Sequence, residues 1–297
     1  MQTRADRPTA DELRDAYLFI GLLVAFVASF MLLPVLGTLL TSLYRDVTYL
    51  PKRFIGLGNY ASMLADPQFW QALKFTVSFA VVSVAIELVL GMALALVLNE
   101  RLRFRGLLRV AVLIPWAIPV AVSARAWELI YNYDYGLFNY VVLKLGIASA
   151  PINWLGSPEG AFSALVLSDV WKSAPFVSMI LLAGLSTIPK NLYKQAAIDG
   201  ATPAQRFFRI TLPLLKPVLI VALIFRTIDA VRVFDVVYVL TGGGPGGATT
   251  PLSLCAFNYF LSGDFGYGSA VSIVVFLIAS SFALLYMRFG RFTKVLP

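Results

Sequence analysis

Across 297 residues the chain is 59% hydrophobic and 13% charged, with mean hydropathy +0.80, which is too apolar for a soluble domain and fits a polytopic membrane protein. The formal charge of +8 comes from Lys and Arg at the ends of apolar runs rather than on one soluble face, so it reads as a membrane-orientation signal and not as a nucleic-acid surface. With no histidine and a single cysteine, Cys255, imidazole-based metal, haem and proton-relay chemistry and an internal disulfide are excluded, and Cys255 reads as packing.

Segment 1–15 is hydrophilic and is expected in the cytoplasm. The apolar run 16–44 is far longer than a signal-peptide core and is expected to be retained as a helix. Further runs at 70–98, 107–131, 161–186, 217–240 and 267–288 can each cross about 30 Å of hydrocarbon. The predicted fold is therefore all-α, a polytopic membrane protein with six transmembrane helices in one domain, 16–290, followed by a cytoplasmic tail, 291–297. Fifteen Lys and Arg fall in the N-terminal segment, the 99–109 and 187–216 loops and the tail counted from Arg288, whereas the opposite loops carry only Arg45, Lys52, Arg53 and Lys144. That asymmetry places both termini in the cytoplasm. Arg101, Arg103, Arg105 and Arg109 read as a topology signal beside lipid headgroups.

Several polar residues interrupt the spans. Glu87, alone in the second, is expected to pair with a cation on a neighbouring helix. In the third, Pro115 and Pro119 flank Trp116 and remove backbone donors, so a kink with free carbonyls turned to a cavity is predicted; Arg125, Trp127 and Glu128 follow. In the fourth, Asp169, Lys172, Ser173 and Phe176 keep i, i+3, i+4, i+7 spacing and share one face. In the fifth, Arg226, Asp229 and Arg232 recur every three residues, with Asp235 one step further. Ionisable groups in a span face a cavity or pair with each other. Two readings follow: a water-accessible path, or neutralising pairs Arg226–Asp229, Arg232–Asp235 and Asp169–Lys172 that hold the bundle together. As ligands, carboxylates, guanidinium groups and aromatic rings suit a neutral polyhydroxyl compound, through paired hydrogen bonds and ring packing on an apolar sugar face.

Between the fourth and fifth spans lies the polar, basic stretch KQAAIDGATPAQRFFRITLPLLKP, Lys194 to Pro217. Pro189 can occupy the first position of a short helix and Gly200 can end it in the left-handed conformation. Thr202 is a good N-cap for a second, with Pro203 at the first helical position and Gln205 as capping-box partner. Two helices of about ten residues are unstable alone in water, so a partner protein is expected to support them. The run Gly242 to Gly247 lacks the Gly-Lys-Ser/Thr ending of a phosphate-binding loop and reads as a flexible external connection. No Walker-type motif is visible, so any ATP use falls to another polypeptide.

The stretch resembles the cytoplasmic coupling loop of ABC-importer permeases, E-A-A-x-x-D-G-A followed by L-P-x-x-x-P, at Ala196, Asp199, Gly200, Ala201, Leu212, Pro213 and Pro217. It departs at Lys194, where the family carries glutamate, and at Gln195, where it carries alanine. Together with FIGLGNY at 54–60, LIPWAIP at 113–119, VWKSAPF at 170–176 and FDVVYVLTGGGP at 234–245, nearly the whole chain is similar to the carbohydrate-uptake group, in particular to maltose/trehalose-type permeases.

The resemblance implies the ABC type I importer permease fold, with a coupling loop over 187–217. It implies a non-enzymatic transport subunit of a bacterial or archaeal plasma membrane that works by alternating access. Its partners would be a second homologous permease, two ATP-binding cassette subunits that hold ATP and Mg, and an external or periplasmic sugar-binding protein that delivers a disaccharide; the chain itself would hold no cofactor and no metal. Lys194, Gln195, Ala196, Asp199, Gly200, Ala201, Thr202 and Phe207 would meet the ATPases. The family's sugar site is half-way through the bilayer on the third, fourth and fifth helices, which here carry Trp116, Arg125, Trp127, Asp169, Lys172, Ser173, Phe176, Arg226, Asp229 and Arg232. An anionic polyol such as glycerol phosphate, held by Lys172, Arg226 and Arg232, is the alternative cargo, against which Asp169 and Asp229 argue. A secondary carrier or channel would leave the coupling stretch unexplained.

Overall fold

A computed structural model describes residues 10–100 and 103–290; Arg101, the first nine residues of the N-terminal segment and the tail 291–297 lie outside the described residues. Helix α1 runs Ala10–Val27, passes through a π-helical turn, Ala28–Leu32, and continues as Leu33–Ser42. A two-stranded antiparallel ribbon, β1 Tyr44–Arg45 and β2 Arg53–Phe54, leads to α2 Gly58–Ala65. The remaining helices are α3 Pro67–Asn99, α4 Arg105–Ala117, α5 Val120–Tyr131, α6 Leu137–Lys144, α7 Pro158–Thr187, α8 Lys190–Ile198, α9 Pro203–Val231, α10 Asp235–Leu240, α11 Leu252–Leu261 and α12 Phe265–Gly290. Among the described residues five helices are long and apolar enough to cross a membrane, and α4 with α5 makes a sixth, broken span bent by 89°.

That break is where the sequence places two prolines. Pro119 has no N–H to donate to Pro115 O, and Ile118, the residue before it, takes the extended conformation (ψ 134) that a following proline favours. The predicted kink is therefore a sharp elbow rather than a bent continuous helix.

The fifth span also differs from its predicted 217–240 limits. The second helix of the coupling stretch is not separate: α9 runs unbroken from Pro203 into the membrane and stops at Val231. Its backbone widens into a π turn, Phe207–Thr211, just ahead of Pro213, as the π turn of α1 precedes Pro34. A widened turn absorbs the donor that proline lacks, so the helix bends its hydrogen-bond ladder without breaking. Pro189 is the N-cap of α8 rather than its first residue.

The core is the seam between α3 and α7. Gly91 lets them approach: a Cβ there would sit 2.5 Å from Val177 Cγ1, so no larger residue fits without moving α7. One cluster gathers Met92, Ala95, Val177, Leu181, Leu185 and Leu215 towards the end that carries α8; another gathers Phe75, Phe79, Trp127, Tyr131, Leu165 and Val237 towards the other end. The Gly-rich run expected to be flexible is instead pinned. Thr249, fully buried, donates to Gly244 O at 2.5 Å and shares a hydrogen bond with Thr241 at 2.9 Å, while Gly242 N and Gly244 N donate to Val237 O and Thr241 O at 2.9 Å each.

Candidate functional site

Two helix breaks meet in the middle of the bundle, the elbow of α4 and α5 and the interruption Arg232–Phe234 between α9 and α10. Irregular backbone is tolerated at membrane depth only where it is buried or lines a cavity. Here it does both. Ser253 Oγ donates to Val233 O, one of the carbonyls freed by the second break. Between the breaks opens a cavity of about 490 Å³, lined by Trp116 and Val120 from the elbow, Asp169, Lys172 and Ser173 from α7, Arg226 and Asp229 from α9, and Arg232 through Val236 from the second break. Its volume lies within the roughly 300–1,000 Å³ range of small-molecule sites.

The charges in the wall are organised by Arg226. Its Nε donates to Glu87 Oε2 at 2.6 Å and its Nη2 to Glu87 Oε1 at 2.9 Å, a two-bond fork across to α3. The same Nη2 reaches Asp169 Oδ2 at 3.2 Å, and Nη1 lies 3.5 Å from Asp229 Oδ2. Arg226 is thus the cation that Glu87 was expected to meet, and its donors are nearly all spent on carboxylates. Arg232 pairs with Asp229 at 2.7 Å, not with Asp235. Asp235 lines the cavity and makes no ion pair within 4.0 Å among the described residues. The Asp169–Lys172 pair is likewise not formed; the Lys172 ammonium turns to backbone carbonyls of the elbow.

Of the ten residues singled out as cargo ligands, seven line the cavity: Trp116, Asp169, Lys172, Ser173, Arg226, Asp229 and Arg232. Phe176 stands behind Trp116, stacked on it with ring centroids 5.2 Å apart and planes 10° from parallel. The structure does not bring the other two there. Trp127 is 8% exposed and is packed against Tyr131, Phe138 and Trp171, and Arg125 is exposed in a 2.5 Å pair with Glu128. Both follow Pro119: the 89° turn of α5 removes Trp127 from the face that Trp116 occupies, and Arg125 would stand on the opposite face even of an unbroken helix. Asp235 and Phe234 are, with Val120, Val233 and Val236, the wall residues that the ligand set omitted; the signal for Asp235 and Phe234 was the end of the hydrophobic period before Arg232.

At its C-terminus α8 closes on a Schellman motif. Ala201 N donates to Ala196 O at 2.8 Å and Gly200 N to Ala197 O at 3.2 Å, with Gly200 at φ +78. Thr202 and Gln205 then form a reciprocal capping box, Gln205 N to Thr202 Oγ1 at 3.2 Å and Thr202 N to Gln205 Oε1 at 2.8 Å. Lys194, Gln195 and Asp199 are exposed, and Ile198 is 85% exposed, an apolar tip with no cover among the described residues. Tyr193, unmarked in the sequence, fastens α8 to the π turn of α9 through a 2.9 Å hydrogen bond with Thr211, and Phe207 packs inward beside it.

Residues 87–295 match the family described as binding-protein-dependent transport system inner membrane component. Over 284 residues, 95% of this chain and 96% of the relative, the chain is 57% identical to the trehalose/maltose transport system permease protein MalF of Thermococcus litoralis. It is 37% identical to the trehalose transport system permease protein SugA of Mycobacterium tuberculosis, covering 93% of this chain and 89% of the relative. It is 42% identical to the sulfoquinovosyl glycerol transport system permease protein SmoG of Agrobacterium fabrum, covering 82% and 78%. Among solved structures, a bacterial ABC transporter involved in the import of the acidic polysaccharide alginate superposes with a TM-score of 0.81 at 25% identity, covering 96% of this chain and 98% of that one. On this likeness, over most of its length and at high identity, the chain belongs to the family of binding-protein-dependent transport system inner membrane components.

Proposed function

We propose that the chain is a permease subunit of an ATP-driven importer for a neutral disaccharide of the trehalose or maltose kind. The observation that carries this reading is the 57% identity over 95% of the chain to a trehalose/maltose permease. The cavity agrees with it chemically. Three cations, Lys172, Arg226 and Arg232, face three carboxylates, Asp169, Asp229 and Asp235, with Trp116 as an apolar platform. A wall with balanced charge and a ring suits hydroxyl groups and a sugar face better than an ion.

In this reading a second permease completes the pathway, an external binding protein delivers the sugar, and two ATPase subunits hold ATP and Mg. The exposed surface of α8, with Lys194, Gln195, Asp199 and the Ile198 tip, is the docking element for one ATPase. Because α9 continues from Pro203 to Val231, a push on the coupling end reaches the cavity wall along one helix. Both termini and α8 lie in the cytoplasm. Sugar uptake and ATP hydrolysis by the reconstituted complex, with and without its binding protein, test this. Stimulation of hydrolysis by the sugar-loaded binding protein is expected, and sugar flux without ATP would replace an ATP-driven importer with a carrier.

An acidic cargo is the second reading, because one relative is a permease named for sulfoquinovosyl glycerol and the superposed solved structure is an ABC transporter involved in the import of the acidic polysaccharide alginate. Competition separates the two. Trehalose or maltose, and not glycerol phosphate, should suppress uptake of the radiolabelled disaccharide.

A further inference from the structure

The elbow between α4 and α5 leaves backbone acceptors without helical partners. Pro115 O would take its hydrogen from residue 119, which is a proline, and the chain turns away after Ala117, so Trp116 O and Ile118 O are also freed. Bare carbonyls inside a membrane bundle are costly. Lys172, reaching across from α7, meets all three. Its Nζ is 3.4 Å from Pro115 O, 3.1 Å from Trp116 O and in hydrogen-bond contact with Ile118 O. An ammonium has three N–H groups, and each has an acceptor here, so none is left for a ligand. Its charge also sits at the C-terminal end of α4, where the helix dipole favours a cation.

One turn further along α7, Phe176 stacks on Trp116. Lys172 and Phe176 therefore grip the last turn of α4 at two levels, by its backbone and by its indole. Trp116 remains 46% exposed on the cavity side.

We propose that Lys172 is a positioning residue rather than a cargo ligand: its ammonium caps the broken end of α4, fixes the elbow and so holds Trp116 in the cavity wall. The consequence for transport rests on the cavity being the cargo site, whereas the consequence for the elbow does not.

Two measurements on the assembled complex, purified through a tag on this chain, separate those parts. In a Cys255→Ser background, spin labels at 108 on α4 and 129 on α5, both exposed, report the elbow by their distance distribution. Lys172→Met should broaden it and Lys172→Arg, which keeps several donors, should restore the narrow form. If Lys172→Met assembles poorly, Lys172→Gln, with two donors, should give an intermediate width. A distribution unchanged in Lys172→Met or Lys172→Gln overturns the assignment. In the second measurement, the sugar concentration that half-saturates binding-protein-stimulated ATPase activity is followed. Lys172→Met and Trp116→Ala should each raise it about tenfold, and the double variant should be no worse than Trp116→Ala alone. Multiplied effects in the double variant overturn the assignment and make Lys172 a direct cargo contact. A broadened elbow with no effect of Trp116→Ala keeps Lys172 as the cap and removes the cavity as the cargo site.

Discussion

Arg226 on α9 and Glu87 on α3, 139 residues apart in sequence, form a two-bond pair at the centre of the bundle, at 2.6 and 2.9 Å, with Glu87 fully buried. Breaking such a pair costs more than its net contribution, because the survivor is left charged and without water. Among the described residues Arg226 serves three carboxylates and Glu87 one cation, so the two ends are not equivalent. Arg226→Met strands Glu87 and Asp169 and should cost roughly 3–5 kcal/mol of folded complex. Glu87→Gln leaves Arg226 with Asp169 and Asp229 and should cost roughly 1–3 kcal/mol. Yields of monodisperse complex by size-exclusion chromatography give the ranking, and equal losses would contradict it.

Asp66 is the staple at the N-terminal end of α3. It caps the helix through Gln68 N at 2.9 Å and accepts hydrogen bonds from Tyr267 at 2.7 Å and Tyr259 at 3.1 Å. Burial alone would raise its pKa, but the hydrogen bonds from Tyr267, Gln68 N and Tyr259 outweigh it and hold the carboxyl below its usual value of 3.8. A group with a lowered folded pKa stabilises fully above its unfolded pKa, about 4, and loses that contribution as pH falls through the folded value. Asp66→Ala should therefore lower stability by about 1–3 kcal/mol at pH 7. The gap in melting temperature between the two proteins should close as the pH drops below about 4. A gap that persists undiminished in acid would mean that the carboxylate charge is not what matters.

Much of this is legible from residue order. The six spans, the left-handed Gly200 and the Thr202–Gln205 box are local: each depends on neighbours within one turn or on composition over twenty residues. Glu87 was legible as a group needing a cation, but not which one, since the choice between Asp229 at i+3 and Glu87 from another helix is settled by packing of α3 against α9. The fate of Lys172 was hidden for the same reason: its acceptors are carbonyls, which every sequence supplies. Trp127 went astray because an ideal helix keeps it near the face of Trp116, and an 89° turn at Pro119 does not; Arg125 would stand opposite Trp116 even on an unbroken helix. The Gly-rich run looked mobile by composition, whereas Thr241 and Thr249 pin it through bonds that composition does not encode.

Asp235 tests the cavity without disturbing the Arg226 network. It lines the wall, is exposed to the cavity, and makes no ion pair among the described residues, so its removal strands nothing. If it bonds a sugar hydroxyl, Asp235→Ala loses roughly 1.5–3 kcal/mol of binding, about ten- to a hundredfold in half-saturation. Assembly should be unaffected. Wild-type uptake kinetics in Asp235→Ala would place the sugar elsewhere.

Charge asymmetry predicts that α8 faces the cytoplasm and the loop after α11 the opposite side. Gly246 at φ +58 is a poor labelling site, since a cysteine there would strain the turn; Ser262, exposed at the end of α11, is free of that problem. In a Cys255→Ser background, an impermeant maleimide applied to intact cells should label a cysteine at 262 and spare one at 194 until the cells are opened. The reverse pattern would invert the topology.

The turn after α8 provides the sharpest test of coupling. Gly200 has φ +78, and a Cβ built there meets nothing within 4 Å, so the obstacle to substitution is the backbone conformation and not a neighbour. A left-handed residue other than glycine costs about 1–2 kcal/mol, less for asparagine, whose short polar side chain tolerates the conformation, and most for β-branched residues. The α8 helix is short and exposed, so it cannot absorb that cost by packing, and the Ala201 N to Ala196 O bond should be the one to give way. Sugar imported per ATP hydrolysed should then fall in the order Gly200→Asn, Gly200→Ala, Gly200→Val, with assembly retained throughout. The gradation matters more than any single value, because only a conformational cause orders the three side chains this way. A flat series, with Gly200→Val transporting as efficiently as Gly200→Asn, would show that the rigid turn is not the element that links the ATPase to the cavity.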